Sequence, residues 1–291
     1  MGLLFSYMPR ASRDAIIHDL SSFFSIRSDV AFAFLFGSFS RETSSSSSDI
    51  DVAVYFYPKS GELEIEDEVY YDGEDEIWAY IDHATGRETD LLVMNRAPAR
   101  VAHTAMSEGV VLRINDGALF LRVLCAAGRL FEEYGEFTDS FAEIKARSTS
   151  LSPVDRDRLL RVLDFLEAEI GDAHVFSGLS YEEYMGDSGK RRNVERWIEN
   201  CVNASVDTAK ILVASQKRHI PQTYRETISQ LKLIEAFSPP LIDRLARNTR
   251  MRNILAHEYL DIRFTHIKSF IESAEENYRG FIEEARKYIS A

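Results

Sequence analysis

Cysteine is nearly absent from this chain: Cys125 and Cys201 are the only two in 291 residues, and they lie far apart. Such a pair cannot build a disulfide framework, which excludes a small disulfide-stapled secreted fold and predicts a reducing, cytoplasmic setting. Histidine is also sparse, with seven scattered residues and none at zinc spacing from a cysteine, so a zinc enzyme is not expected. No apolar run approaches the ~20 residues that a transmembrane helix needs. The opening MGLLFSYMPRASRD is apolar over too short a stretch and lacks a small-residue cleavage site, so neither a membrane span nor a signal peptide is expected. Positive charge is scarce in the first half. Residues 1–150 carry 13 Lys+Arg against 25 Asp+Glu, residues 151–291 carry 21 against 22, and the whole chain has a formal charge of −13. That balance excludes a general nucleic-acid-coating protein. Much of the acidity sits in GELEIEDEVYYDGEDEIW (61–78), which reads as a solvated loop and helix face, whereas Lys190-Arg191-Arg192 can touch a phosphate backbone locally.

What is present is a large core. Hydrophobic residues make up 45% of a chain long enough for two domains. Ser12 is placed to cap a helix with Ile16, Ile17, Leu20, Phe23 and Phe24 at helical spacing. VAFAFLFG (30–37) and IDVAVYFY (50–57) read as strands, ETDLLVMN (88–95) as a third and VVLRIND (110–116) as a fourth, with a helix ending at Gly86 between the second and third. Beyond Asp155 the period changes. RDRLLRVLDFLEAEI (156–170) is helical, and Trp197, Cys201, Ala204, Thr208 and Ile211 recur in steps of four and three. The fold class is therefore α+β: a mixed α/β domain over 1–148, then an all-helical domain over 149–291.

Two groups of residues carry chemistry. In FGSFSRETSSSSSDIDVAVYF (36–56), Gly37-Ser38 closes one strand, ten residues follow, and Asp49 and Asp51 open the next. Alternation along a strand points both carboxylates to one side, where they can hold one or two Mg²⁺ ions. Gly37 lets backbone approach a phosphate, Ser38 offers a hydroxyl and an N–H, and Asp90 at the head of DLLV can complete the site. A lone Asp-x-Asp is usually surface chemistry, and the five serines fit a flexible linker, but here all the parts occur together and in order. The combination resembles the minimal nucleotidyltransferase family, a small branch of the DNA polymerase β-like fold marked by Gly-Ser, ten residues and Asp-x-Asp. Arg41 falls where that family has an arginine, and DLLVMNRAP (90–98) resembles its third-carboxylate strand and following turn; Glu42 departs from the glycine often found there. The resemblance implies transfer of a nucleoside monophosphate from ATP or another triphosphate. Asp49, Asp51 and Asp90 would bind two Mg²⁺, Asp90 would help deprotonate the acceptor, and Gly37, Ser38 and Arg41 would bind the nucleotide.

The second group is RNILAHEY (252–259). Arg252 and His257 are five apart, so on one ideal helix they point about 140° away from each other. Either the helix ends between them or two copies of the chain complete each other's site. Taken alone, the stretch would be ordinary capping and packing. Arg252, His257 and Tyr259 nevertheless reproduce Arg-x₄-His-x-Tyr, with Asn253 adjoining, and the stretch resembles HepT-type HEPN ribonuclease toxins. EYMGD, the basic KRRNVER and MRNILAHEYLDI follow the order of helices in that family. The resemblance implies metal-free RNA cleavage through the ribose 2′-OH and a homodimer formed by the helical domain.

Together the halves resemble a fused pair in which the transferase (the antitoxin) adds AMP to the motif tyrosine, here Tyr259, and silences the ribonuclease (the toxin). Three rivals remain: a transferase acting on a small molecule, in the manner of aminoglycoside adenylyltransferases, or on another protein; an inert dimeric scaffold; and an RNA-tailing polymerase, for which the acidic first half offers no basic channel. Arg196, Asn203 and Asp207 are further polar positions, open to two readings: lining the ribonuclease cleft or simply facing solvent.

Overall fold

The computed structural model describes residues 12–40, 49–59, 61–147, 150–257 and 264–290, with the side chains of residues 256 and 257 left outside that description. They divide into two compact units, the first ending at Glu132 and the second beginning at Glu133.

The first unit opens with α1 (Arg13–Ser25), capped by the Ser12 hydroxyl, which accepts from the Ala15 N–H, and it buries Ile16, Leu20, Phe23 and Phe24. There follow β1 (Val30–Phe36), the single turn α2 (Gly37–Ser40), β2 (Ile50–Phe56), α3 (Glu74–Thr85), β3 (Thr89–Val93), α4 (Ala99–Glu108), β4 (Val110–Ile114) and α5 (Gly117–Arg147). The strands form one sheet in the order β3-β2-β1-β4. β1 is antiparallel to both neighbours, and β2 runs parallel to β3. The continuous apolar run of β1 is explained by its place inside the sheet with both faces covered. Phe32 and Phe34 pack with Ala102, Met106, Val123 and Ala127 of α4 and α5. Val30, Ala33 and Leu35 pack with Leu20 and Phe24 of α1 and Ile77 and Ile81 of α3. Gly86 ends α3 in the left-handed region at φ 58°, its N–H donating to Asp82 O.

The turn after β3 is held by a buried amide. Asn95 Oδ1 accepts from the Phe56 N–H at 2.9 Å, and Nδ2 donates to Phe56 O at 3.1 Å, to Glu64 Oε2 at 3.1 Å and toward Tyr71 Oη at 2.9 Å. Tyr71 Oη donates in turn to Glu64, and burial, then this contact, raises the Tyr71 phenol well above its usual pKa. Arg96 grips Glu74 through two 2.6 Å bonds. The Asn-Arg-Ala-Pro stretch thus ties the end of β2 to the loop before α3.

The second unit contains the remainder of α5, then α6 (Pro153–Gly171), α7 (Ala173–Phe176), α8 (Tyr181–Gly186), α9 (Ser188–Ser215), α10 (Tyr224–Ser229), a 3₁₀ turn (Gln230–Leu233), α11 (Pro239–Asn248), α12 (Arg250–His257) and α13 (Phe264–Ser290). The expected α9 stripe is buried throughout at Trp197, Cys201, Ala204, Thr208 and Ile211. The units part inside α5, whereas the sequence placed the change at 148/149. The reason is the apolar seam of Tyr134, Phe137, Phe141 and Ile144, which belongs to the helical core. Among the described residues no helix is long and apolar enough to cross a membrane.

Asn95→Ala leaves the Phe56 N–H and C=O without their side-chain partner in the interior and takes one donor from the Glu64 carboxylate, which keeps Tyr71 and the Lys59 N–H. Denaturation followed by a signal from the sheet unit should show a loss of about 2–4 kcal/mol; a loss below about 0.5 kcal/mol would mean the amide is not the clamp described.

Candidate functional sites in the two units

In the first unit the strand registers assemble the acidic group. Asp51 lies across the parallel ladder from Asp90 and across the antiparallel ladder from Phe36. Asp49 precedes β2 by one residue and is exposed, as is Asp90, while Asp51 is half-buried. The Asp51 carboxyl is pushed above the usual carboxylate range, first by burial and then by the negative charges of Asp90 and Asp49. Gly37 closes the group. Its φ is +73°, and a Cβ built there would stand 1.9 Å from Asp51 Oδ2, so only glycine lets the turn come this close to the carboxylate. Two contacts that the sequence did not disclose hold α2 in place: Ser40 Oγ donates to Gly37 O at 2.8 Å, and Arg13 Nη2 donates to Ser40 O at 2.7 Å. Ser38 is exposed on this turn. Arg41 lies outside the described residues.

Carboxylates gathered against a glycine turn are the donor set a hard cation prefers, and a cation there would offset the repulsion that adds to burial in raising Asp51. The residues therefore fit a Mg²⁺ site. Among the described residues no three Asp, Glu, His or Cys side chains are grouped closely enough to hold a metal by themselves; Mg²⁺ commonly takes one or two carboxylates and completes its shell with water and substrate phosphate oxygens.

In the second unit α12 runs unbroken through Arg252 and His257, so the helix does not end between them. Arg252 Nε donates to Asn203 Oδ1 at 2.8 Å, Nη1 stands 2.7 Å from Glu133 Oε2, and the guanidinium carbon lies 4.2 Å from the centroid of the Tyr224 ring. Asn253 is half-buried beside it. Asn203 was flagged by its place on α9; Glu133 and Tyr224 were not, because neither belongs to a recognisable spacing. Asp207 pairs with Lys210 at 2.8 Å. Arg196 pairs with Glu199 and, with Asp172, Phe176, Trp197 and Asn200, lines a cavity of about 340 Å³. The His257 side chain and Tyr259 lie outside the described residues.

The chain matches the family "Polymerase beta, Nucleotidyltransferase" over residues 18–117 and the family "Ribonuclease HepT-like" over residues 166–285. Among curated proteins it is 26% identical over 86 residues to an mRNA nuclease HepT of Shewanella oneidensis, covering 30% of this chain and 65% of that protein. It is 23% identical over 114 residues to a tRNA nuclease HepT of Aphanizomenon flos-aquae, covering 39% and 78%. The chain therefore joins a polymerase β-type nucleotidyltransferase domain to a HepT-like HEPN ribonuclease domain. The two families imply enzymatic activities, and polymerase β-type transferases generally use a divalent metal and a nucleoside triphosphate.

Because the Asp51 pKa is raised in the folded state, folding gains from its protonation. That stability is present at acid pH and is lost as pH rises through the folded value. Asp51→Asn should therefore raise the metal-free melting temperature at neutral pH, and the gap to wild type should narrow at pH 4; a lower melting temperature at neutral pH would contradict the repulsion. Gly37→Ala should lose about 2–4 kcal/mol in the same melts, from the positive φ and the clash with Asp51.

Proposed function

We propose that the chain is a single-chain toxin–antitoxin-type protein whose nucleotidyltransferase domain transfers AMP from ATP to Tyr259, silencing a ribonuclease centre built on Arg252 and His257. The observation that carries this reading is the register that sets Asp51 against Asp90 beneath Gly37, in the same chain as a HepT-like half with Arg252, His257 and Tyr259 at the toxin spacing.

In this mechanism Asp49, Asp51 and Asp90 would hold two Mg²⁺, whose charge would offset that of the triphosphate and favour loss of the acceptor proton. Gly37 and Ser38 present backbone N–H groups and a hydroxyl to the phosphates, and Arg41 adds positive charge. The Tyr259 oxygen attacks the α-phosphorus of ATP, its proton passes to Asp90, and the bond to the leaving pyrophosphate breaks. Tethering the acceptor to the transferase raises its effective concentration.

In the ribonuclease half, His257 takes the proton of a ribose 2′-OH, whose oxygen attacks the adjacent phosphorus and expels the 5′-oxygen. The products are a 2′,3′-cyclic phosphate and a 5′-hydroxyl, and Arg252 stabilises the charge that builds on the phosphate oxygens. Since α12 is continuous through both residues, we propose that a homodimer of the helical domain brings Arg252 and His257 of two copies together. The named activities of the relatives, mRNA and tRNA cleavage, support RNA as the substrate. An AMP on Tyr259 sets a phosphate and a bulky base at the entrance, excluding RNA. The proposed site of action is the cytoplasm.

Protein with unmodified Tyr259 should cut RNA, and His257→Ala should cost on the order of 100-fold or more. Prior incubation with ATP and Mg²⁺ should suppress wild-type cleavage but leave Tyr259→Phe active. Cleavage indifferent to His257, or suppression that persists in Tyr259→Phe, overturns the scheme.

A further inference from the structure

The nuclease reading leaves Arg252 to face an RNA phosphate, yet its guanidinium is already occupied. Asn203 accepts from Nε at 2.8 Å, and Tyr224 lies under the guanidinium plane at 4.2 Å. Glu133 Oε2 stands 2.7 Å from Nη1; both atoms are shut off from solvent, and they meet by charge rather than through an aligned hydrogen bond. Asn203 and Tyr224 belong to the stretch that matches the HepT-like family, residues 166–285. Glu133 does not: it lies upstream of that stretch, on α5. Nor is it on a loose arm. In the same turn of α5 Tyr134 donates its hydroxyl to Pro221 O at 2.8 Å, and the rings of Tyr134 and Phe137 meet Tyr224 at 5.1 and 5.3 Å. A packed helix therefore delivers the carboxylate to the arginine.

A carboxylate and a phosphodiester compete for the same edge of a guanidinium, because each offers a pair of anionic oxygens to its N–H fork. We propose that Glu133 is an internal stand-in for the RNA phosphate: an autoinhibitory latch that lowers RNA affinity at Arg252 even when Tyr259 carries no nucleotide. This rests on assigning Arg252 to the ribonuclease centre. Asn203 and Tyr224 are positioning residues that keep the guanidinium in place whichever anion it holds. RNA binds only the fraction of molecules in which Glu133 has swung away, so the observed affinity falls by that fraction. A nuclease half with this latch has two layers of restraint, one covalent on Tyr259 and one built into α5.

The test uses the full chain carrying Asp49→Asn/Asp51→Asn, so that Tyr259 stays unmodified, with and without Glu133→Gln. Binding of a fluorescein-labelled DNA oligonucleotide, which lacks the 2′-OH and cannot be cut, is read by anisotropy, and cleavage of the matching RNA is read on gels. Glu133→Gln should tighten binding about tenfold and raise cleavage to a similar degree, and adding Arg252→Gln should erase the gain. Unchanged or weaker binding with an unchanged melting temperature overturns the latch. If Glu133→Gln lowers the melting temperature, Glu133→Asp replaces it: the shorter acid keeps the charge but withdraws from Arg252, and failure to tighten binding again overturns the latch. His257→Ala separates the two claims. His257-dependent cleavage that Glu133→Gln does not raise preserves the nuclease and rejects the latch. Tighter binding with no cleavage by any variant preserves the latch on an anion site and rejects the nuclease.

Discussion

The placement of the half-buried Asp51 beside Asp90 and directly beneath Gly37 is the constraint on which the candidate site of the first unit depends. Two carboxylates would normally separate into solvent, but the parallel β2–β3 ladder fixes them as partners, and the antiparallel β1–β2 ladder presses Gly37 onto one of them. The cost is borne by the sheet, whose two faces are filled by α4 and α5 on one side and by α1 and α3 on the other. Such an arrangement is consistent with the proposed cation site: the charge density is built in, and it is relieved either by a proton on Asp51 or by a bound cation.

The helical unit meets the opposite problem. There Arg252 sits mostly out of solvent and meets the charge of Glu133, supported by Asn203 and Tyr224. Among the described residues the first unit thus gathers negative charge around Asp51, while the second pairs a positive one. The contrast is consistent with the proposed binding of a metal–nucleotide complex in the first unit and with the proposed latch in the second.

Much of this was legible in the sequence because its determinants are local. β1 and β2 announce themselves as apolar runs closed by Gly37 and Pro58, α9 by the stripe from Trp197 to Ile211, and the acidic site by a fixed Gly-Ser to Asp-x-Asp spacing. What escaped is non-local. Glu133 meets Arg252 across most of the helical unit's length, and no periodicity connects them. Asn95 reads in sequence only as the junction of the third strand and its turn, because its four hydrogen-bond partners come from β2 and the loop after it. The boundary drawn at 148/149 followed a change in composition, while the packing boundary lies inside one unbroken helix, where Tyr134 and Phe137 already serve the helical core.

The most direct measurement of the central claim is the intact mass of the purified chain before and after incubation with ATP and Mg²⁺, followed by peptide mapping. The account predicts a gain of one or more AMP units on the peptide containing Tyr259, absent in Asp49→Asn/Asp51→Asn and in Tyr259→Phe. No gain in a wild-type protein that starts unmodified, or equal labelling of Tyr259→Phe, would contradict it and point to an acceptor outside this chain.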